Sequence, residues 1–151
     1  MPELLNLELV ESLATALETM AFISLSPPEG PVSAPEDPVH VRIEFRGARS
    51  GRLELVVSRD LGRLLLDNTL GCDASETLVM PNPNDALVEL ANITCGTLLK
   101  RLEGGARCEM QVPVLRPFDA AAAEWDELLR DGSADVVLAE GMPVAIRVVE
   151  G

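Results

Sequence analysis

The chain has 151 residues, enough for one domain with a sizeable core, and its 47% hydrophobic content can fill that core. A net charge of −13 opposes polyphosphate backbones and anionic lipid, which reward clustered Lys and Arg, so proteins or small molecules are the expected partners. Aromatics are only 3% and tyrosine is absent, which leaves base stacking and aromatic ligand cages poorly supplied. No apolar run approaches bilayer-spanning length, and the acidic start MPELLNLELVES lacks the basic region of a signal peptide. Three cysteines without a C-x-x-C make no disulfide framework. A reducing cytoplasm is the expected compartment, with neither membrane nor nucleic acid as partner.

In chain order, residues 3–20 show helical periodicity, with Leu5, Leu9, Leu13, Ala16, Leu17 and Met20 along one side. Residues 24–38 carry five prolines and read as a surface loop within a single domain spanning 1–151. Residues 39–46 and 52–57 alternate with period two around GARSG, the pattern of a β-hairpin with one buried face. Val39, Val41, Ile43 and Phe45 are expected inward, and His40, Arg42 and Glu44 outward. Residues 59–70 predict a short helix stopped at Gly71, followed by a loop over 72–81. Asn82 before Pro83 fits an N-cap with proline at the first helical position, and Gly104-Gly105 ends that helix. Residues 107–115 read as a strand despite Pro113, residues 119–130 as a short helix, and the last segment as two strands around Glu140-Gly141. The order α-β-β-α-α-β-(α)-β-β predicts an α+β domain, a mostly antiparallel sheet packed with helices.

The helix holding DALVELANITCG, residues 85–96, is the informative one. At about 100° per residue, Asp85, Glu89, Asn92, Gly96, Lys100 and Glu103 fall on one narrow polar ribbon. Leu87, Leu90, Ala91, Cys95, Leu98 and Leu102 lie opposite, with Val88, Leu99 and Ile93 flanking. Gly96 costs roughly 1 kcal/mol relative to alanine in a helix interior, and an asparagine there competes for backbone hydrogen bonds. Together they combine an amide with a gap that a partner's backbone could approach. Two bland alternatives stay open: a merely exposed asparagine, and a glycine at a close helix–helix contact.

The spacing Asp85-x-x-x-Glu89-x-x-Asn92 resembles the signature of the CheC/CheX/FliY family of chemotaxis phosphatases. That signature is an Asp or Ser, three residues, Glu, two residues and Asn on an exposed helix, with a proline in the strand that follows. ALVELANITCGTLLKRL is similar to the corresponding helix of CheX, and the element order fits as well. Glu8, Glu11 and Glu18 of the first helix have no asparagine three residues on, so one active centre is implied, as in single-motif members. The following proline is either Pro113 or Pro117.

The resemblance implies a substrate that is itself a protein, the phosphorylated receiver domain of a CheY-like response regulator, and hydrolysis of its aspartyl phosphate. Asn92 would orient the attacking water and Glu89 would pair with the receiver's active-site lysine. Asp85 and Gly96 would contact the partner, although Asp85 equally suits the helix N-terminus. No cofactor of the chain's own is implied, since the receiver supplies Mg²⁺. A homodimer formed through sheet edges is implied too, with the final strands offering an edge. The alternative is a non-catalytic receiver-binding or flagellar-switch module of the same fold. A small-molecule hydrolase is disfavoured: His40 is the only histidine, and Cys72, Cys95 and Cys108 lack zinc spacing. Ser58-Arg59-Asp60 resembles a helix start, and Trp125 is expected to be buried.

Overall fold

Leucines at helical spacing build the first element, α1 (Pro2–Ala21), whose Leu9, Leu13, Ala16 and Leu17 are wholly buried. The structure, a computed structural model, describes residues 2–70, 82–103, 108–116 and 118–150. Among these the chain continues through β1 (Leu25–Ser26), β2 (Pro38–Gly47), β3 (Gly51–Ser58), α2 (Arg59–Leu70) and α3 (Pro83–Glu103). It closes with β4 (Cys108–Met110), β5 (Val114–Arg116), α4 (Phe118–Asp131), β6 (Asp135–Ala139) and β7 (Met142–Glu150). This is the α+β arrangement expected. The stop at Gly71, the loop 72–81 with Cys72, the Gly104-Gly105 helix end and Pro117 lie outside the described residues.

The strands form one seven-stranded antiparallel sheet in the order β1-β6-β7-β3-β2, with β4 and β5 both pairing the far side of β2. The hairpin expected around GARSG is β2–β3, in register from Pro38 opposite Ser58 to Phe45 opposite Gly51. The last two strands turn at Glu140 and Gly141, both with positive φ (50° and 81°), as a two-residue hairpin requires.

Two expectations need correcting and a third is narrowed. The proline-rich loop is not wholly irregular: Leu25 and Ser26 pair with Ala139 and Leu138 of β6. The single strand expected over 107–115 is two strands. Phe45 faces Met110 and Arg42 faces Val114, so one extra residue is inserted, and Pro113 sits in the resulting bulge. Of the final two strands, β7 is interior, lying between β3 and β6, and the edge they offer is the part of β6 that β1 leaves unpaired.

Both faces of the sheet are covered. Val39, Val41, Ile43, Phe45, Leu53, Leu55, Val57, Val144 and Ile146 join the α1–α3 layer in one core. On the opposite face Val56 and Ala145 bury against Trp125 and Leu128 of α4. His40, expected to face solvent, is wholly buried on that second side. Alternation correctly set it opposite Val39 and Val41, but α4 packs over β2 and turns an outer face into an inner one.

Candidate functional site

The helix that carries the ribbon is fixed at both ends. Asn82 caps it: the Asn84 backbone N–H donates to Asn82 Oδ1 at 2.8 Å, while the Asn82 N–H donates to Asp85 Oδ2 at 3.3 Å. This reciprocal pair is a capping box, with Pro83 at the first helical position. Asp85 therefore has a local task, closing the N-terminus of α3, on an exposed side chain. Near the other end Arg101 Nη1 donates to Glu11 Oε2 at 3.0 Å and approaches Glu8 Oε2 at 3.4 Å, holding α3 against α1. Along its length Leu87, Leu90, Ala91, Cys95 and Leu98 are fully buried. Truncating any of those leucines to alanine would cost about 2–5 kcal/mol, so α3 is rigid scaffold.

The remaining face is the expected ribbon. Asp85, Glu89 and Lys100 are exposed, and Asn92 and Gly96 are half-exposed between them. From Asp85 to Gly96 the strip is roughly 16 Å long at the helical rise. Among the described residues neither the Glu89 carboxylate nor the Asn92 amide takes a side-chain hydrogen bond or ion pair. Gly96 separates the two readings left open by the sequence. Among the described residues a Cβ there would meet only the Met110 terminal methyl, at 3.8 Å, so no described helix requires the glycine. Gly62 is the opposite case, for its Cβ would fall 2.5 Å from the Pro83 carbonyl oxygen, where α2 crosses the start of α3. Met110 is thus the residue beside the ribbon that sequence reasoning did not select. Its signal was its place after the motif helix, and the bulge that sets its register had no local signature.

A second polar cluster lies beneath α4. Arg147 Nε donates to Glu54 Oε2 at 2.5 Å and Nη1 donates to Ser133 Oγ at 2.9 Å, while Nη2 lies 3.5 Å from Glu124 Oε1. Burial works against the Glu54 charge, but His40, Arg147 and Arg52 outweigh it and bring the carboxyl from 4.5 down to about 2. His40 Nε2 is 3.6 Å from Glu54 Oε1, and neither ring nitrogen has a hydrogen-bond partner. Ligand atoms of His40, Glu54 and Glu124 lie within 4.8 Å of one another. Arg147, Arg52 and Arg116 already balance the two carboxylates, so a cation would add positive charge to a compensated cluster. The arrangement clamps α4 to the sheet.

Cys95 offers no nucleophile: it is buried and its thiol is pushed up to about 12 by burial, with Cys108 adding to the effect. Concave space of about 290 Å³ lies by Arg46, Gly51 and Val149, and about 560 Å³ by Arg46, Cys108 and Glu109. Neither cavity is lined by a ribbon residue. The ribbon is a convex helix surface, suited to insertion into a partner's cleft rather than to enclosing a small molecule.

Solved structures share this fold. CheX from Desulfovibrio desulfuricans superposes with a TM-score of 0.67 at 16% identity, over 97% of this chain and 99% of that one. CheX from Vibrio vulnificus gives 0.66 at 21% identity, over 97% and 96%. The CheX of a CheX–CheY–BeF₃–Mg²⁺ complex from Borrelia burgdorferi gives 0.58 at 13% identity, over 95% of each chain. No curated protein sequence matches the chain. The profile of the family described as chemotaxis phosphatase CheX matches residues 39–124, from the start of the β2–β3 hairpin through the motif helix and into α4. That match spans more than half of the sequence, and the chain belongs to the CheX family of chemotaxis phosphatases.

Proposed function

We propose that the chain dephosphorylates the aspartyl phosphate of a CheY-like receiver domain, with Asn92 positioning the attacking water and Glu89 docking the receiver. The observation that carries this reading is the Asn92 amide, unengaged among the described residues, one turn from an exposed Glu89 on a rigid helix. A related CheX has been solved with CheY, BeF₃ and Mg²⁺, which supports a receiver as the partner.

The chemistry asks little of the chain. An acyl phosphate is already reactive, and in this proposal the receiver brings its own Mg²⁺ and lysine. What remains is to hold one water in line, opposite the carboxylate leaving group. An amide can do so because its oxygen accepts from the water while its NH₂ donates to a phosphoryl oxygen. Phosphoryl transfer depends mainly on positioning and charge stabilisation, so no protein nucleophile is needed. Glu89 would pair with the receiver lysine and fix the helix in the cleft. Asp85 can reach the partner only through whatever hydrogen-bonding capacity its capping role leaves free. The homodimer that the family resemblance implies belongs to the same proposal.

Following phosphate release from a phosphorylated receiver tests it. Wild-type chain should accelerate release. Asn92→Ala should lower kcat about a hundredfold with the fold intact, the scale expected when a positioned group is removed. Glu89→Ala should instead raise KM roughly tenfold or more. Binding without acceleration would support a receiver-docking adaptor of the same fold instead.

A further inference from the structure

The edge of the sheet beside the ribbon carries an apolar strip that the motif does not include. Met110 and Val112 are 41% and 85% exposed along β4 and the bulge, whereas Val114 pairs with Arg42 and so belongs to the opposite, α4 side of the sheet. Met110 pairs with Phe45, whose side chain belongs to the α1–α3 core, so both point to the helix side of the sheet. There its terminal methyl reaches to 3.8 Å from where a Gly96 Cβ would stand. Met110 therefore continues the ribbon: acid at Asp85 and Glu89, amide at Asn92, backbone at Gly96, then thioether, with exposed Val112 two residues further along the edge.

Resting on the reading given under Proposed function, we infer that Met110, with Val112, is the apolar rim of the receiver-docking surface. It meets an apolar side chain that borders the receiver's phosphate pocket and closes the Asn92 water site from bulk solvent. Two features favour this occupant over a second copy of the chain. The edge is interrupted by an inserted residue and by Pro113, which has no N–H to donate, so it is a poor template for strand addition. The charge pattern is also complementary to a cationic lysine beside an apolar rim, whereas a second copy would bring another acidic ribbon. A methionine suits the place because its unbranched thioether adapts to a partner and withdraws at little cost from the space over Gly96. In the free chain that methyl half-fills the gap. On docking it would swing aside, letting receiver backbone approach Gly96 while remaining in contact with the receiver.

The test uses the full chain and the phosphorylated CheY-like receiver of the same cell, with the same receiver carrying beryllofluoride and Mg²⁺ as a binding probe. Met110→Glu should weaken probe binding and raise KM about tenfold, with kcat near wild type, while Met110→Leu stays close to wild type. Val112→Glu should act in the same direction but less strongly. Thermal unfolding confirms that these exposed substitutions leave the fold intact. If Glu89→Ala weakens binding but Met110→Glu does not, the rim assignment is wrong. If Met110→Glu instead changes the mass in solution and leaves probe binding untouched, the strip belongs to a second copy. If wild type binds the probe without hastening hydrolysis, the phosphatase reading fails separately, and the rim stands or falls on Met110→Glu binding alone. No wild-type binding at all would overturn both.

Discussion

Gly96 and Gly62 both sit inside helices, and their surroundings predict opposite consequences for the same substitution. Gly62→Ala would set a Cβ 2.5 Å from the Pro83 carbonyl oxygen, forcing α2 and α3 apart. It should destabilise by about 1–3 kcal/mol, the usual range for an overpacked contact. Among the described residues Gly96→Ala meets only the flexible end of Met110 at 3.8 Å, and it removes a helix-interior glycine. It should stabilise by up to about 1 kcal/mol, read as a higher urea midpoint with an unchanged slope. The same variant should raise KM for the receiver, since a methyl then stands where partner backbone is proposed to approach. A glycine whose replacement strengthens the fold and weakens the activity is held there for the partner. A Gly96→Ala chain that is more stable and equally active would leave the glycine without that explanation.

At the scale of elements, α4 decides how the second face of the sheet behaves. It seats Trp125 and Leu128 on Val56 and Ala145, and beside them Glu124 meets Arg147, which also holds Glu54. Glu54 has a folded value near 2 against an ordinary 4.5, so its ionised form favours the folded state. For a depressed carboxyl the contribution is full above the ordinary value and is lost as pH falls towards the folded one. Stability should therefore decline between about pH 4.5 and pH 2, by at most roughly 1.4 kcal/mol per pH unit and by less where solvent screens the cluster. Urea unfolding across that window should show a shallower decline for Glu54→Gln, which has no carboxyl to protonate there. An identical pH profile in the variant would remove Glu54 as the source. The network also marks the limit of local sequence reading. Period-two alternation placed His40 away from the apolar core correctly, but alternation cannot say whether the other face meets water or a helix. That depended on a helix far along the chain. The two-residue β1 exists only because β6 pairs with it, and the bulge at Pro113 only because β2 holds both of its flanks. The ribbon on α3 was legible because its period, cap and spacing are all written within one helix, with Asn82 before Pro83 marking the cap, and the structure adds the bond by which Asp85 completes a capping box. Met110 was not legible, because its closeness to Gly96 passes through β2 and the sheet.

For the whole molecule, 25 acidic against 12 basic residues leave a charge of −13, which any association of two copies must overcome. The two sheet edges are unequal. The β4–β5 edge is broken by its bulge, whereas β6 is covered by β1 only at Leu138 and Ala139, leaving Asp135–Val137 as an open stretch without a bulge. A homodimer that extends the sheet would use β6. The Asp135 carboxyl there is raised by burial and one of its oxygens has no partner, so this edge carries a charge that resists pairing unless it is satisfied across the interface. Sedimentation should give twice the 16.2 kDa chain mass at 0.15 M salt and above, with dissociation favoured near 0.01 M, where the Debye length grows to about 30 Å and repulsion between copies is less screened. Hydrogen exchange at Asp135–Val137 should slow as protein concentration rises, and Met110→Glu should leave both observations unchanged. A single-chain mass at every salt and concentration would remove the homodimer. A dimer whose Asp135–Val137 amides exchange as fast as in the dilute chain would move its interface away from β6, leaving the α3 ribbon and its methionine rim to be tested on their own.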